Sequence, residues 1–406
     1  MKVTLTVIEG PHQGSSFDFI EHDAFLVGRS PETQFRLPLR DRTLSRVHFL
    51  IEVNPPLCRL MDMASTNGVR GNGKKVLKAD LNDGDRIQAG NTIIAFAVKD
   101  DEMTEIQGAH LSLATRAPTE TETKDWSGVP IFPGYTIDRT IGEGGMGIVY
   151  LGRREIDSQA VALKVIKPVV ATQDAILGRF LQEASILRRL EHPNIVRFLD
   201  IGYASSRLYF AMEYVEGTNV TEALKARGPF SIPSAIGLTC QVLNALSYAH
   251  GLGFVHRDIK PANLLITRKE GKNQAKLADF GLAKIYQESS LSGMSVTGQM
   301  GGTLAFMPPE QITHFRDAKP TADIYALGAT LYNLLTDKTT FDFKGRAEQQ
   351  VARILFDAPT PIQTYRPEIP GALAEIIHRS LAKAPADRFP DAQSMKEALS
   401  PFAKSR

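Results

Sequence analysis

The chain has almost no cysteine. Cys58 and Cys240 are the only two in 406 residues, and they lie far apart in stretches of different character. That excludes a disulfide framework or a cysteine-based zinc site and fits a reducing compartment. Long apolar runs are missing too. The opening "MKVTLTVIEGPH" turns polar at Glu9 and Gly10, before a signal-peptide core is complete, and no stretch approaches the roughly 18 apolar residues of a membrane span. The expectation is a soluble, cytoplasmic protein. Charge of one sign is also lacking: the formal net charge is +2 with 23% charged residues, which argues against a general nucleic-acid binder or a polybasic membrane binder. What the chain does have is length, enough for two or three domains that each bury a core.

The texture changes twice. Residues 1–99 alternate or run apolar in short segments, "VTLTVIEG", "RVHFLIEV" and "NTIIAFAV", separated by Gly, Pro, Asn and Asp clusters, which predicts an all-β sandwich. Residues 100–133 lose periodicity and fill with Thr, Glu, Pro and Gly, so a solvated linker is expected. From about residue 134 short strands come first ("YTIDRTIGEG", "AVALKVIK"). Segments of helical spacing follow: "AILGRFLQEASILRRL", "PSAIGLTCQVLNALSYAHGLG", "TADIYALGATLYNLLTD" and "ALAEIIHRSLAK". A small β-rich lobe before a larger helical lobe is predicted over 134–402.

Gly142, Gly144 and Gly147 have GxGxxG spacing, which dinucleotide folds, ordinary turns and chance all produce. The residues after them decide: "IVYL" favours a strand, where the dinucleotide fingerprint opens a helix. The glycines are therefore expected in a hairpin tip that lays backbone N–H groups over a triphosphate, with Val149 capping the base. Lys164 interrupts the apolar strand "VALKVIK". A buried lysine needs partners, and a phosphate and a carboxylate are the natural ones; the alternative is an edge lysine reaching solvent. Glu183, at the margin of an apolar helix face, offers the carboxylate. In "FVHRDIKPANLLI" and "KLADFGLAK", Asp258, Asn263 and Asp279 stand at loop ends after apolar strands. Two acids and an amide so placed suit divalent-cation phosphate chemistry, with Asn263 and Asp279 as oxygen ligands of magnesium.

These motifs, in this order over residues 134–402, resemble the protein kinase superfamily. The resemblance implies an α+β bilobal fold and a non-specific serine/threonine protein kinase that uses ATP with Mg2+, or Mn2+. It gives Asp258 the acceptor hydroxyl's proton, Lys260 the charge on the transferring phosphoryl, and Lys164, positioned by Glu183, the α- and β-phosphates. A base pocket of Ile141, Val149, Ala162 and Leu265 is implied, with backbone bonds to adenine at Glu213 and Val215 in the hinge after Met212. "HRDIKPAN" and Thr303 in "GTLAFMPPE" resemble serine/threonine kinases, and "GEGGMG" resembles bacterial ones. Pro308 departs from the family's usual alanine, and Glu310 is expected to pair with Arg388. Arg257 implies a phosphate on the activation segment, where Ser295 and Thr297 are the expected autophosphorylation sites, through transient self-association.

In the β domain, "FLVGRS", "TLSRVHF" and "STNGVRGNG" together resemble the forkhead-associated (FHA) domain, a sandwich that reads phosphothreonine with its loops. By that resemblance Arg29, Ser45 and Arg46 contact phosphate and Asn67 holds the peptide backbone. Thr66 contacts either, while Gly28 and His48 are architectural; Arg42 matches no motif. Arginine forks and a hydroxyl suit phosphate oxygens. The implied partners are protein substrates and phosphothreonine proteins, with no nucleic acid and no membrane. Thr115, Thr119, Thr121 and Thr123 in the linker are either ligands in cis or parts of a hydrophilic spacer. Two functions follow: a kinase with its own reader, or a catalytically idle kinase-fold scaffold that binds phosphothreonine.

Overall fold

The structure is a computed structural model. It describes residues 2–19, 24–29, 33–37, 43–45, 47–54, 57–63, 65–99, 132–144, 147–166, 187–204, 207–269, 271–280, 304–313, 318–345 and 347–403. Arg42, Arg46, Glu183, Ser295, Thr297, Thr303 and the four linker threonines lie outside the described residues.

The first 99 residues form two sheets over one apolar core. In spatial order, one sheet runs Ser16–Phe19, Lys2–Glu9, Thr92–Lys99, Arg86–Ala89, Val69–Gly71, Lys74–Val76. The other runs Phe35–Arg36, Ala24–Gly28, Phe49–Asn54, Leu57–Asp62, Lys78–Leu81. Strand period sets the core: Val3, Leu5 and Val7 from one sheet meet Phe25, Val27, Phe49 and Ile51 from the other, the packing of two sheets through their inner faces. Cys58 lies within this core, and no disulfide joins it to Cys240.

From residue 132 a five-stranded antiparallel sheet, ordered Tyr135–Gly144, Gly147–Arg154, Ala160–Ile166, Arg207–Glu213, Phe198–Ala204, makes the small lobe. Gly144 pairs with Gly147 to close its first hairpin, and Gly147 takes φ 154°, a conformation that L side chains rarely adopt. The strand Ala160–Ile166 has two unlike faces. Val161, Leu163 and Val165 are buried in the lobe's own core. Ala162 and Lys164 point the other way, in register with Met212 and Phe210 on one side and Leu151 and Val149 on the other.

The larger lobe is built on two helices. Ile232–Gly251 starts at Ser231, whose side chain accepts from the Ser234 N–H, with proline in the first turn. Pro320–Thr336 is buried on nearly every side, as expected of a central helix. Of the helix predicted to carry Glu183, only the end is described, as a 3-10 turn at Leu187–Arg189. Among the described residues no helix is long and apolar enough to cross a membrane.

Candidate active site

One hairpin brings the polar groups together. The strands Leu264–Lys269 and Lys272–Leu277 pair with Leu264 opposite Leu277, so Asn263, just before one strand, faces Ala278 and Asp279, just after the other. The Ala278 N–H donates to the Asn263 carbonyl at 2.8 Å and locks that juxtaposition. Asp279 adopts φ 61°. The next residue, Phe280, is buried with its ring edge on against His256 at 4.6 Å.

Lys164 reaches across from the small lobe, and its ammonium donates to Asp279 Oδ2 at 2.6 Å. It is 7% exposed, so the partner that a buried lysine requires is here the carboxylate of Asp279. Burial works against the charge on Asp279, but the neighbouring Lys164 ammonium outweighs it and keeps the carboxyl below its usual range. Lys260 donates to both oxygens of Asp258 at 2.9 Å. Asn263 Nδ2 donates to the Asp258 carbonyl at 2.8 Å and to Oδ2 at 3.0 Å. Its amide hydrogens are thus turned toward Asp258, and its Oδ1 is the atom left to bind a cation.

The loop that carries Asp258 is held from below by a residue that motif reading did not single out. Asp323, fully buried, accepts from the backbone N–H groups of His256 and Arg257, each within 2.9 Å, and pairs with His250 Nε2 at 2.8 Å. Those bonds hold Arg257 at φ 67°, a conformation that costs a non-glycine residue of order 1 kcal/mol or more. His256 Nδ1 accepts from the Asp258 N–H at 3.2 Å, so its proton sits on Nε2, which donates to the Ala278 carbonyl at 2.9 Å. Gln311, buried in the helix Pro309–Thr313, donates to the Arg257 carbonyl at 2.8 Å. In the same helix Glu310 receives both forks of Arg388, at 2.6 and 2.8 Å. Arg388 is 1% exposed and also donates to the carbonyls of Ala382, Thr321 and Lys383.

The implied base pocket lines up beside Lys164. Val149, Ala162 and Met212 share its face of the sheet by register, and Gly142 lies opposite Val149 while Ile141 is exposed. Leu265 alternates with Leu264 and Ile266, which turn into the large-lobe core. The Glu213 N–H donates to the Arg197 carbonyl at 2.9 Å, so it is the carbonyl that Glu213 can offer a base. Its side chain pairs with Lys276. Val215 follows in the described hinge segment, partly buried. A cleft of about 830 Å³ opens past the hinge between Gly217 and Phe230, and none of Lys164, Asp258, Asn263 or Asp279 lines it.

A second set of loops gathers at one end of the β domain. The Ser45 N–H donates to His48 Nδ1 at 3.0 Å, which leaves His48 Nε2–H to donate to the Gly68 carbonyl at 3.2 Å. The buried His48 ring thereby ties two loops together. Thr66 N–H donates to Ser45 Oγ at 3.0 Å, Asn67 Nδ2 to the Thr43 carbonyl at 2.7 Å, and Arg29 N–H to the Ser45 carbonyl at 3.2 Å. Arg29, Thr66 and Asn67 are exposed. The structure brings four of the five predicted phosphopeptide residues together; the fifth, Arg46, lies outside the described residues.

Residues 135–400 match the protein kinase domain family, and residues 6–100 match a family described as the cytoplasmic domain of the inner membrane component of T3SS. The chain is 35% identical over 291 residues to the serine/threonine-protein kinase pkn3 of Myxococcus xanthus, covering 70% of this chain and 53% of that protein. It is 36% identical over 264 residues to the serine/threonine-protein kinase PknJ of Mycobacterium tuberculosis, covering 64% and 44%. The chain thus spans about half the length of these relatives. The solved kinase domain of Mycobacterium tuberculosis PknI is 29% identical, with a TM-score of 0.53 over 67% of this chain and 98% of that one. Rad53 1-466, solved with AMP-PNP, matches all of both chains with a TM-score of 0.54 at 23% identity, a likeness of fold. With the matched region covering more than half of its length and the lysine, aspartates and asparagine assembled in one cleft, the chain belongs to the protein kinase family, its kinase domain being of the serine/threonine type.

Proposed function

We propose that the chain transfers the γ-phosphoryl group of ATP to serine and threonine hydroxyls of proteins, and that its β domain is an FHA-type reader of phosphothreonine. The observation that carries the first part is the constellation of Lys164, Asp279, Asn263, Asp258 and Lys260 at the junction of two lobes, each group fixed by a partner before any ligand arrives. Such preorganisation is what a transfer limited by positioning and charge requires.

Lys164 binds the α- and β-phosphates, and Glu183 serves as its second carboxylate. The hairpin of Gly142, Gly144 and Gly147 covers the phosphates with backbone N–H groups. Ile141, Val149, Ala162 and Leu265 enclose the base, which bonds to the backbone of Glu213 and Val215. Asp258 orients the acceptor oxygen and takes its proton; Lys260 lies against the transferring group. Asn263 and Asp279 fit a divalent cation because they supply hard oxygen donors, and two protein ligands suit magnesium, which keeps phosphates and water in its remaining positions. Among the described residues no cluster of three or more His, Cys, Asp or Glu suits a metal held by protein alone. The cation, magnesium with manganese as its alternative, offsets phosphate charge when bound. Arg257 receives the phosphate of Ser295 or Thr297 after autophosphorylation in a transient pair of chains, Thr303 supports the acceptor segment, and the Glu310–Arg388 pair braces it. Radiolabel transfer from ATP to a serine or threonine peptide tests this reading.

For the reader, Arg29, Ser45 and Arg46 hold the phosphate while Thr66 and Asn67 hold the peptide. The contact of Ser45 with Thr66 and the bond of Asn67 to the Thr43 carbonyl support the reading of these loops as one site. The partners are proteins bearing phosphothreonine, met in the cytoplasm, with no role for nucleic acid or membrane. A full-length Asp258→Asn chain, which does not modify itself, is expected to bind phosphothreonine peptides and not their plain forms. Ser45→Ala should weaken binding about 10- to 100-fold, since a hydrogen bond to a charged group contributes about 1.5–3 kcal/mol. Fluorescence anisotropy reads this, and equal affinity for plain peptides rules out the reader.

A further inference from the structure

The outer face of a β-sandwich normally carries polar side chains in alternation with the core. Here the sheet containing Ala24–Gly28, Phe49–Asn54 and Leu57–Asp62 breaks that rule. Phe25, Val27, Phe49, Ile51 and Leu60 point inward, and the residues between them, Leu26, Leu50 and Met61, are apolar as well. They are nonetheless 2%, 2% and 5% exposed. What covers them is the kinase lobe. Together with Val47 and Met63 they pack in one cluster with Leu304, Ile312, Phe341, Val351 and Ile354, edged by Met307 and Leu355. The strand Ala24–Gly28 lies directly against the helix Pro309–Thr313.

The kinase side of this contact is tied to the catalytic loop. Ile312 shares its helix with Gln311, which holds the Arg257 carbonyl, and with Glu310, which holds Arg388. Leu304 and Met307 lie just before that helix. Phe341 and the helix Ala347–Phe356 are joined by Lys383, whose ammonium stands 4.3 Å over the Phe341 ring and donates to the Ile354 carbonyl. The covered surface is therefore one shelf, tied through Gln311 to the residue before Asp258.

We propose that the outer face of the β domain docks in cis on this shelf and so covers the surface on which a protein acceptor must settle to present its hydroxyl to Asp258. The reader domain is thereby an occluding partner of its own kinase lobe. A short peptide reaches Asp258 without the shelf; a protein does not. Val47 and Met63 extend the docked face to within two residues of Ser45 and Ser65, so it ends at the reader's loops.

Two full-length variants test the proposal from opposite sides, Leu50→Glu on the β domain and Val351→Glu on the kinase lobe. Hydrogen exchange is followed together with transfer from ATP to two acceptors: a tagged Asp258→Asn copy of the chain, and a ten-residue threonine peptide. In both variants exchange should rise at 24–28, 304–313 and 347–356 while the inner strand Thr92–Lys99 stays protected. If nine chains in ten are docked, kcat/KM of Leu50→Glu, whose acceptor surface is untouched, rises about tenfold on the protein acceptor, with the peptide rate unchanged. Unchanged exchange at 347–356 in Leu50→Glu overturns the docking. A rise in exchange in Leu50→Glu without a gain on the protein acceptor overturns the occlusion. Should Leu50→Glu lose protection at Thr92–Lys99, Val351→Glu, which leaves the β domain intact, decides the docking, and Met61→Gln, a milder change on the same outer face of the β domain, decides the occlusion. A parent chain idle on the short peptide counts against the kinase reading, and the exchange results still decide the docking.

Discussion

Asp258→Asn is expected to lower phosphoryl transfer by about a thousandfold or more, with little change in folding or in nucleotide affinity. A positioned proton acceptor contributes roughly 10²- to 10⁴-fold, and Asp258 has a second task here. Both its oxygens hold the Lys260 ammonium, and one also receives Asn263 Nδ2. An amide at that position can keep only one of those oxygens as an acceptor. Its NH2 group then faces donors, so Lys260 and Asn263 lose their fixed orientation as well. Nucleotide affinity should hold, because Lys164 and Asp279 pair independently of Asp258. Single-turnover transfer to a peptide reads the chemistry, and a thermal melt and nucleotide titration read the rest. A variant that retains a tenth of the parent rate removes Asp258 from the proton's path.

The residues of that cleft were legible because each belongs to a short stretch whose spacing fixes its place. Asn263 and Asp279 are sixteen positions apart, yet the hairpin between them brings their loop ends together, and apolar strands flanked by polar loop ends announce such a hairpin. Lys164 announced itself as a cation in an apolar strand, although its described partner is Asp279 where Glu183 was expected. Asp323 left a fainter mark. Its partners are two backbone N–H groups and a histidine about seventy residues upstream, and backbone donors write nothing into a sequence. The available signal was a lone acid in "TADIYALGATL", a helix otherwise apolar all round: a buried carboxylate must serve donors from elsewhere. The covered face of the β domain was visible in a similar way. "FLVG" and "FLIEV" run apolar where a half-exposed strand alternates, the pattern of a sheet buried on both faces. The sequence does not say what does the burying, because the covering residues lie about 240 to 330 positions away.

Asp323→Ala should destabilise the kinase lobe by about 3–5 kcal/mol, the range for removing one member of a buried charged network. Three costs combine. Two backbone N–H groups, those of His256 and Arg257, lose their acceptor inside the protein. His250 Nε2 loses its partner. Arg257 loses the restraint that keeps it at φ 67°, so the loop relaxes and Asp258 leaves its position. Asp323→Asn separates these effects, since one oxygen remains to accept while the NH2 group faces a donor; a smaller loss of about 1–3 kcal/mol is expected. The carboxyl also predicts a pH dependence. Burial opposes its ionisation, but bonds from His250 and the His256 backbone outweigh burial and hold it below the ordinary value of 3.8. In that direction the unfolded chain binds the proton more tightly, so the stabilisation is fully present above about pH 4 and is lost as pH falls through the folded value. Urea unfolding of the parent should therefore weaken across that acidic window more steeply than that of Asp323→Asn. Parallel curves for the two proteins would falsify the assignment of a charged Asp323 to the floor of the catalytic loop.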